Sequence, residues 1–165
     1  MVVVPWRSQT NDAWDPLSAF LTIRLRIGGI ALDVEGVFDS GADMIDLQPP
    51  KLAEFQIDLD QYGFSTGIDP DGNRRLIPIA IAEAELDGHV FEAPVALYPF
   101  DARPVHVLGR AGLLDNFRVT LDAGAAETRF EWVGPSAHSR IDAIRQNFID
   151  ERIGTRQQYL DAGYT

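Results

Sequence analysis

From Phe20 to Ile27 every second residue is apolar, with Leu21, Ile23, Leu25 and Ile27 alternating with Thr22, Arg24 and Arg26. Side chains of a strand point to opposite faces in turn. A period of two therefore predicts a half-buried strand and disfavours a helix, whose apolar stripe repeats every three to four residues. Gly28-Gly29 follows, and two residues free to adopt positive φ suit a tight hairpin turn. The returning run from Ile30 to Phe38 reads as a second strand that delivers Asp39 to a strand end.

The same grammar continues downstream. Leu76 to Leu86 and His89 to Tyr98 read as two strands joined at Asp87-Gly88, with Phe91, Val95 and Leu97 as core positions. Val105 to Leu108 is a short apolar run, Leu113-Leu114 suggests a brief helical turn, and Phe117 to Leu121 and Phe130 to Val133 read as later strands. Residues 48 to 60 carry a short helical pattern at Leu52, Phe55 and Ile57, whereas Gly63, Gly67, Pro70 and Asp71-Gly72 predict a long, movable loop. Beyond Gly134-Pro135, Ser139 and Asp142 fit a capping box, Ile141, Ile144 and Phe148 share a helical face, and Thr155 and Gln158 repeat the cap pattern. The expectation is an all-β core with two helices appended over 136–162.

Several kinds of chemistry are excluded or disfavoured by composition. The 165 residues suit one domain, and a net charge of -11 would repel a phosphate backbone or anionic lipid, so neither nucleic acid nor membrane is an expected partner. Cysteine is absent, which removes disulfides, thiol nucleophiles and cysteine-ligated zinc. Met1-Val2-Val3-Val4 is cut off by Pro5 and lacks the flanks of a signal peptide, and no transmembrane span is readable, so a cytoplasmic location is the expectation. Lys51, the only lysine, looks exposed and has no support as a Schiff-base former.

Chemistry concentrates at Val37-Phe38-Asp39-Ser40-Gly41-Ala42-Asp43, an aspartate directly after an apolar strand, followed by a hydroxyl residue and a glycine. Glycine lets backbone approach closely, and the hydroxyl and amides can hydrogen-bond the carboxyl group. Asp, Ser and Gly are also ordinary turn formers, so the tripeptide alone is equally a capped strand end. Peptide hydrolysis by carboxyl groups needs one carboxylate as base toward water and one carboxylic acid toward the carbonyl oxygen, which two aspartates sharing a proton supply.

A second segment adds weight: Val105-His106-Val107-Leu108-Gly109-Arg110, followed by Leu113-Leu114. Together the two resemble the retropepsin-like aspartic peptidases, which carry Asp-Thr/Ser-Gly-Ala-Asp early and a hydrophobic-hydrophobic-Gly-Arg segment late. The likeness covers roughly Phe20 to Val133. It implies a retropepsin-like acid-protease single lobe, a closed barrel-like unit over residues 1–135 with a C-terminal helical extension over 136–165. It also implies an aspartic endopeptidase that acts on peptide or protein as a homodimer, through a water activated by an Asp39/Asp39 dyad, with no metal or organic cofactor. Asp39 would be catalytic, Ser40 would lock the paired loops, and Gly41 would contact substrate backbone. Ala42 and Asp43 would complete the active-site loop, with Gly109 and Arg110 supporting it. An Asp43–Arg110 pair has independent sense, since a guanidinium can grip a carboxylate in a bidentate fork. Tyr62 to Ile79 matches the region of the family's flap. A like-charged dyad would favour acidic to near-neutral pH.

Ala111-Gly112 departs from the retroviral pattern, where a polar residue and a leucine usually stand, so the late helix is expected to start differently. The helical extension likewise leaves the dimer mode open. The alternative function is a catalytically silent peptide-binding or regulatory module of the same fold.

Competing motifs carry less. Gly63-Phe64-Ser65-Thr66-Gly67 matches a serine-hydrolase elbow, with Asp101, His106 and His138 downstream, but turn material follows where a helix is required. Asp69-Pro70-Asp71-Gly72-Asn73 resembles a calcium loop, yet Arg74 replaces the glycine and Ala80 the bidentate glutamate, so a polar loop is the better reading. His89, His106 and His138 lack metal-pair spacing, with His89 expected at a hairpin turn and His106 facing outward.

Overall fold

The computed structural model describes residues 1–8, 17–49, 51–56, 63–101, 105–136, 141–147 and 156–165. Two hairpins organise it. Strand β2 (Leu17–Ile27) pairs antiparallel with β3 (Ile30–Phe38) from Phe20↔Val37 to Ile27↔Ile30, and the turn glycines Gly28 and Gly29 have φ of 58° and 86°. Leu21, Ile23, Leu25 and Ile27 are all buried, as the alternation requires, while Arg24 and Arg26 face outward to Asp33 and Glu83. The second hairpin joins β6 (Arg74–Leu86) to β7 (His89–Leu97) through Asp87-Gly88.

Two short strands turn these hairpins into a closed body. β4 (Ile45–Leu47) runs parallel to β7, and β8 (His106–Leu108) runs parallel to β3 and meets β4 at Asp46↔Val107. Because the far half of β2 also pairs with β6 at Arg24↔Glu85 to Arg26↔Glu83, the order β2-β3-β8-β4-β7-β6 returns to β2. Closure encloses Ile23, Leu25, Val34, Ile45, Leu47, Val95 and Leu108 in one core. The near half of β2 carries β1 (Val2–Ser8), which continues into β10 (Glu127–Trp132) and β9 (Phe117–Asp122).

Several sequence expectations change. Residues 63–73 are not a long loop: β5 (Gly63–Ile68) pairs antiparallel with Arg74–Ile79 of β6, and only Asp69 to Asn73 turn. Strands β1 and β4 were not foreseen. Helix α1 is confined to Lys51–Glu54. His106 is half-buried rather than outward-facing, and its Nδ1 accepts the Gln48 amide at 3.0 Å. Burial, and after it the charge of Lys51, lower its pKa from the usual histidine value against a weaker opposite pull from Glu54.

The appended helices are α3 (Ile141–Asn147) and α4 (Arg156–Asp161). Ile141 is buried, and Arg145 reaches Glu92 of β7 at 2.7 Å. Ser139, Phe148 and Thr155, which framed those helices in the sequence, lie outside the described residues, as do Ile57, Tyr62 and His138. Among the described residues no helix is long and apolar enough to cross a membrane.

Candidate active site

Asp39 leaves β3 as the strand ends. Its amide donates to the Leu108 carbonyl at 3.1 Å, so the parallel β3–β8 pairing extends one step and sets the chain direction at this point. The chain then turns: the Ala42 amide donates to the Asp39 carbonyl at 3.1 Å, and the Gly41 amide donates to Asp39 Oδ1 at 2.8 Å. An aspartate bonding the amide two residues on is a self-contained turn motif, and it holds this carboxylate by backbone alone. Asp39 remains partly exposed, and Ser40 and Gly41 are exposed at the turn. A Cβ on Gly41 would stand 3.1 Å from Asp39 Oδ1, so the absent side chain leaves the carboxylate room.

The second segment supports this turn from below. The Arg110 amide donates to the Ala42 carbonyl at 2.9 Å, and the Ala111 amide to the Asp43 carbonyl at 3.0 Å. Gly109 presses on Met44, where a Cβ would meet the Met44 carbonyl oxygen at 2.2 Å. Arg110 Nε donates to Asp43 Oδ1 at 2.9 Å, and Nη2 reaches the same oxygen. The expected two-oxygen fork is therefore not made: both nitrogens converge on one oxygen. With Arg110 46% and Asp43 61% exposed, the pair is a solvated one, and the backbone bonds carry the bracing.

The unusual Ala111-Gly112 step has a visible consequence. Both depart from helical geometry, Ala111 at φ -65°, ψ 130° and Gly112 at φ 86°, ψ -53°, inside the segment α2 (Arg110–Asn116). A Cβ on Gly112 would lie 2.7 Å from the Glu92 carbonyl, so the kink seats α2 directly on β7. Asp115 Oδ2 then accepts the Gly112 amide at 3.1 Å, and Asn116 Nδ2 donates to the Gly112 carbonyl at 2.7 Å.

The β5–β6 hairpin has its turn tied by Asp69. Its carboxylate accepts from the Asp71 amide at 3.0 Å, the Asn73 amide at 2.8 Å and the Asn73 side chain, and from Arg75 Nε at 2.7 Å. Burial acts to raise its pKa, but the Asn73 and Arg75 contacts outweigh it and hold the group at about 2. A carboxylate so engaged by protein donors is a turn clamp, in keeping with the polar-loop reading.

The competing sites do not assemble as drawn. Ser65 sits in mid-strand opposite Ile77, with strand rather than helix after it. His89 stacks on Trp132 at 4.5 Å with rings 2° apart. Lys51 is paired with Glu54 at 3.1 Å and is less exposed than its place beside Pro50 suggested. Sequence reasoning missed Met44, and it quoted Leu108 only as part of an apolar run; both contribute backbone atoms to the site, which leave no side-chain signature.

These features define a retropepsin-like single lobe: a closed barrel in which an Asp-Ser-Gly turn leaves one strand beside a hydrophobic-Gly-Arg segment. No protein-family model and no curated protein sequence matches the chain. Among solved structures, it is similar to a retropepsin-like aspartic protease from Rickettsia conorii at 13% identity and TM-score 0.55, over 79% of this chain and 89% of that one. It is also similar to the simian foamy virus protease (17% identity, 57% and 92% of the chains, TM-score 0.37) and to the EIAV protease in an inhibitor complex (19%, 63% and 88%, TM-score 0.38). At 13% identity the likeness to the Rickettsia protein shows the fold.

Proposed function

We propose that this protein is an aspartic endopeptidase that works as a homodimer, with Asp39 of two copies forming one catalytic pair. The observation that carries the reading is the Asp39 turn itself, a partly exposed carboxylate held by the Gly41 amide and anchored through Leu108. A turn of this kind holds a carboxyl group in place and leaves it open to solvent. One chain supplies one such group, whereas hydrolysis of an amide by carboxyls uses two in different protonation states.

In the dimer, the ionised Asp39 takes a proton from water as the water oxygen attacks the peptide carbonyl carbon, and the protonated Asp39 gives its proton to the carbonyl oxygen. The resulting diol collapses when one hydroxyl proton returns to a carboxylate and the amide nitrogen is protonated, so the C–N bond breaks and the pair regains its single proton. In this reading Ser40 and Gly41, both exposed beside the carboxylate, meet the partner chain and the substrate backbone.

The test is cleavage of a denatured protein mixture by the full chain and by Asp39→Asn, with and without a statine-type peptide analogue. Cleavage that is lost in a folded Asp39→Asn protein and blocked by the analogue is the expected result. Undiminished cleavage by that variant overturns the mechanism. Analogue binding with no cleavage by either protein would point instead to a silent peptide-binding module.

A further inference from the structure

The last described segment, Arg156 to Thr165, packs on the β5–β6 hairpin. Tyr159 lies edge-to-face on Phe64 of β5, with ring centroids 5.4 Å apart, and Tyr164 packs edge-to-face on Tyr159 at 5.3 Å. The chain then runs along β6. The Thr165 amide donates to the Arg74 carbonyl at 3.2 Å, and the Leu76 amide donates to the Thr165 carbonyl at 3.0 Å. Two bonds flanking Arg75 in this way are what a parallel neighbouring strand makes. Arg75 Nη1 also donates to Thr165 Oγ1 at 2.7 Å. β5 occupies the other edge of β6 here, so Thr165 occupies the edge that the hairpin otherwise offers to an extended chain.

That edge borders a cleft of about 270 Å³. The hairpin contributes Phe64, Leu76 and Pro78, the stretch between β7 and β8 contributes Phe100, and the final segment contributes Leu160 and Thr165. Phe100 also belongs to a small apolar cluster with Ile77, Ile79, Ala96, Tyr98 and Met44. Met44 is the residue on which Gly109 presses, directly after Asp43. The cleft thus shares an apolar cluster with Met44, five residues after Asp39 in the chain.

We infer that the segment Arg156–Thr165 is a tethered occupant of the peptide-binding groove, which has to leave β6 before an extended peptide can pair there. The inference rests on the peptide-groove reading above and adds regulation to it. Backbone pairing to a strand edge together with an apolar anchor is a general way to hold an extended peptide, and here Thr165 supplies the first and Tyr159 and Leu160 the second. Being part of the same chain, the occupant competes at a high effective concentration, so the apparent affinity for peptide is reduced by the fraction of molecules in which the groove is filled.

The test compares the full chain with its Tyr159→Ala/Leu160→Ser double variant, reading the Kd of a fluorescent statine-type peptide analogue. The variant is expected to bind about three- to tenfold more tightly. In the unsubstituted protein, the Thr165 amide should exchange with solvent slowly when free and faster once the analogue is bound. Equal affinity in the two proteins, or analogue binding that leaves Thr165 protected, overturns the inference while the peptidase reading stands. Binding to neither protein sinks the peptide-groove reading itself and takes the inference with it.

Discussion

Gly109 lies so close to Met44 that a side chain on it would collide with backbone: a Cβ would stand 2.2 Å from the Met44 carbonyl oxygen and 2.7 Å from its amide nitrogen. Backbone in a closed barrel has little room to give, because both neighbours are tied. Gly109→Ala should therefore cost about 1–3 kcal/mol of stability. Gly124→Ala, whose Cβ would make only an ordinary 3.5 Å contact with Asp122 Oδ1, should shift it by less than about 0.5 kcal/mol. Urea unfolding of the two variants checks this, and equal midpoints would remove the structural role assigned to Gly109.

The Arg110–Asp43 pair predicts a different pattern. Both side chains are largely solvated and meet through one oxygen, so Arg110→Ala should lower stability by about 1 kcal/mol or less, with the effect shrinking as salt is added. The backbone bonds from Arg110 and Ala111 to Ala42 and Asp43 survive the change. Denaturant midpoints at low and high salt measure it. A loss of several kcal/mol would mean that the ion pair, and not the backbone, braces the loop.

Asp69 gives the hairpin turn a pH dependence. Its pKa is depressed from 3.8 to about 2, so the turn's stabilisation is complete above 3.8 and is lost as the pH falls from there through about 2. Exchange of the Asp71 and Asn73 amides, both bonded to this carboxylate, should accelerate relative to the rest of the chain across that window. In Asp69→Asn the acceleration should be absent. A turn already open at pH 4 would contradict the assignment.

A shared active site predicts interference by an inactive partner. Asp39→Asn chains, mixed in ninefold excess with unsubstituted chains and allowed to exchange, should reduce activity per active chain to about one tenth by random pairing. A monomeric enzyme would keep its full activity in the same mixture. Sedimentation at the assay concentration establishes that exchange has a dimer to act on.

How far the sequence could be read follows from the range of each interaction. β2, β3, β6 and β7 were legible because alternation over eight or more residues and the Gly28-Gly29 and Asp87-Gly88 turns are local signals. β5 was not, since Gly63 and Gly67 weaken any strand pattern and the polar turn beside them reads as loop. β1 was obscured by Pro5, and β4 is three residues long, too short for any periodicity to show.

The sequence by itself determined the order of the hairpins and the placing of Asp39 at a strand end, each carried by residue type at a given position; the pairing of Arg110 with Asp43 came only with the family resemblance. Only the tertiary structure decided how the loop is held. The Asp39 amide on Leu108, Arg110 and Ala111 on Ala42 and Asp43, and Gly109 on Met44 are contacts of main-chain atoms, which every residue possesses and no residue type announces. It also decided where the helical extension goes, because the partners of Tyr159 and Thr165 lie about ninety residues back along the chain, on the β5–β6 hairpin, where β7 does not reach the edge of β6 at Arg74 to Leu76.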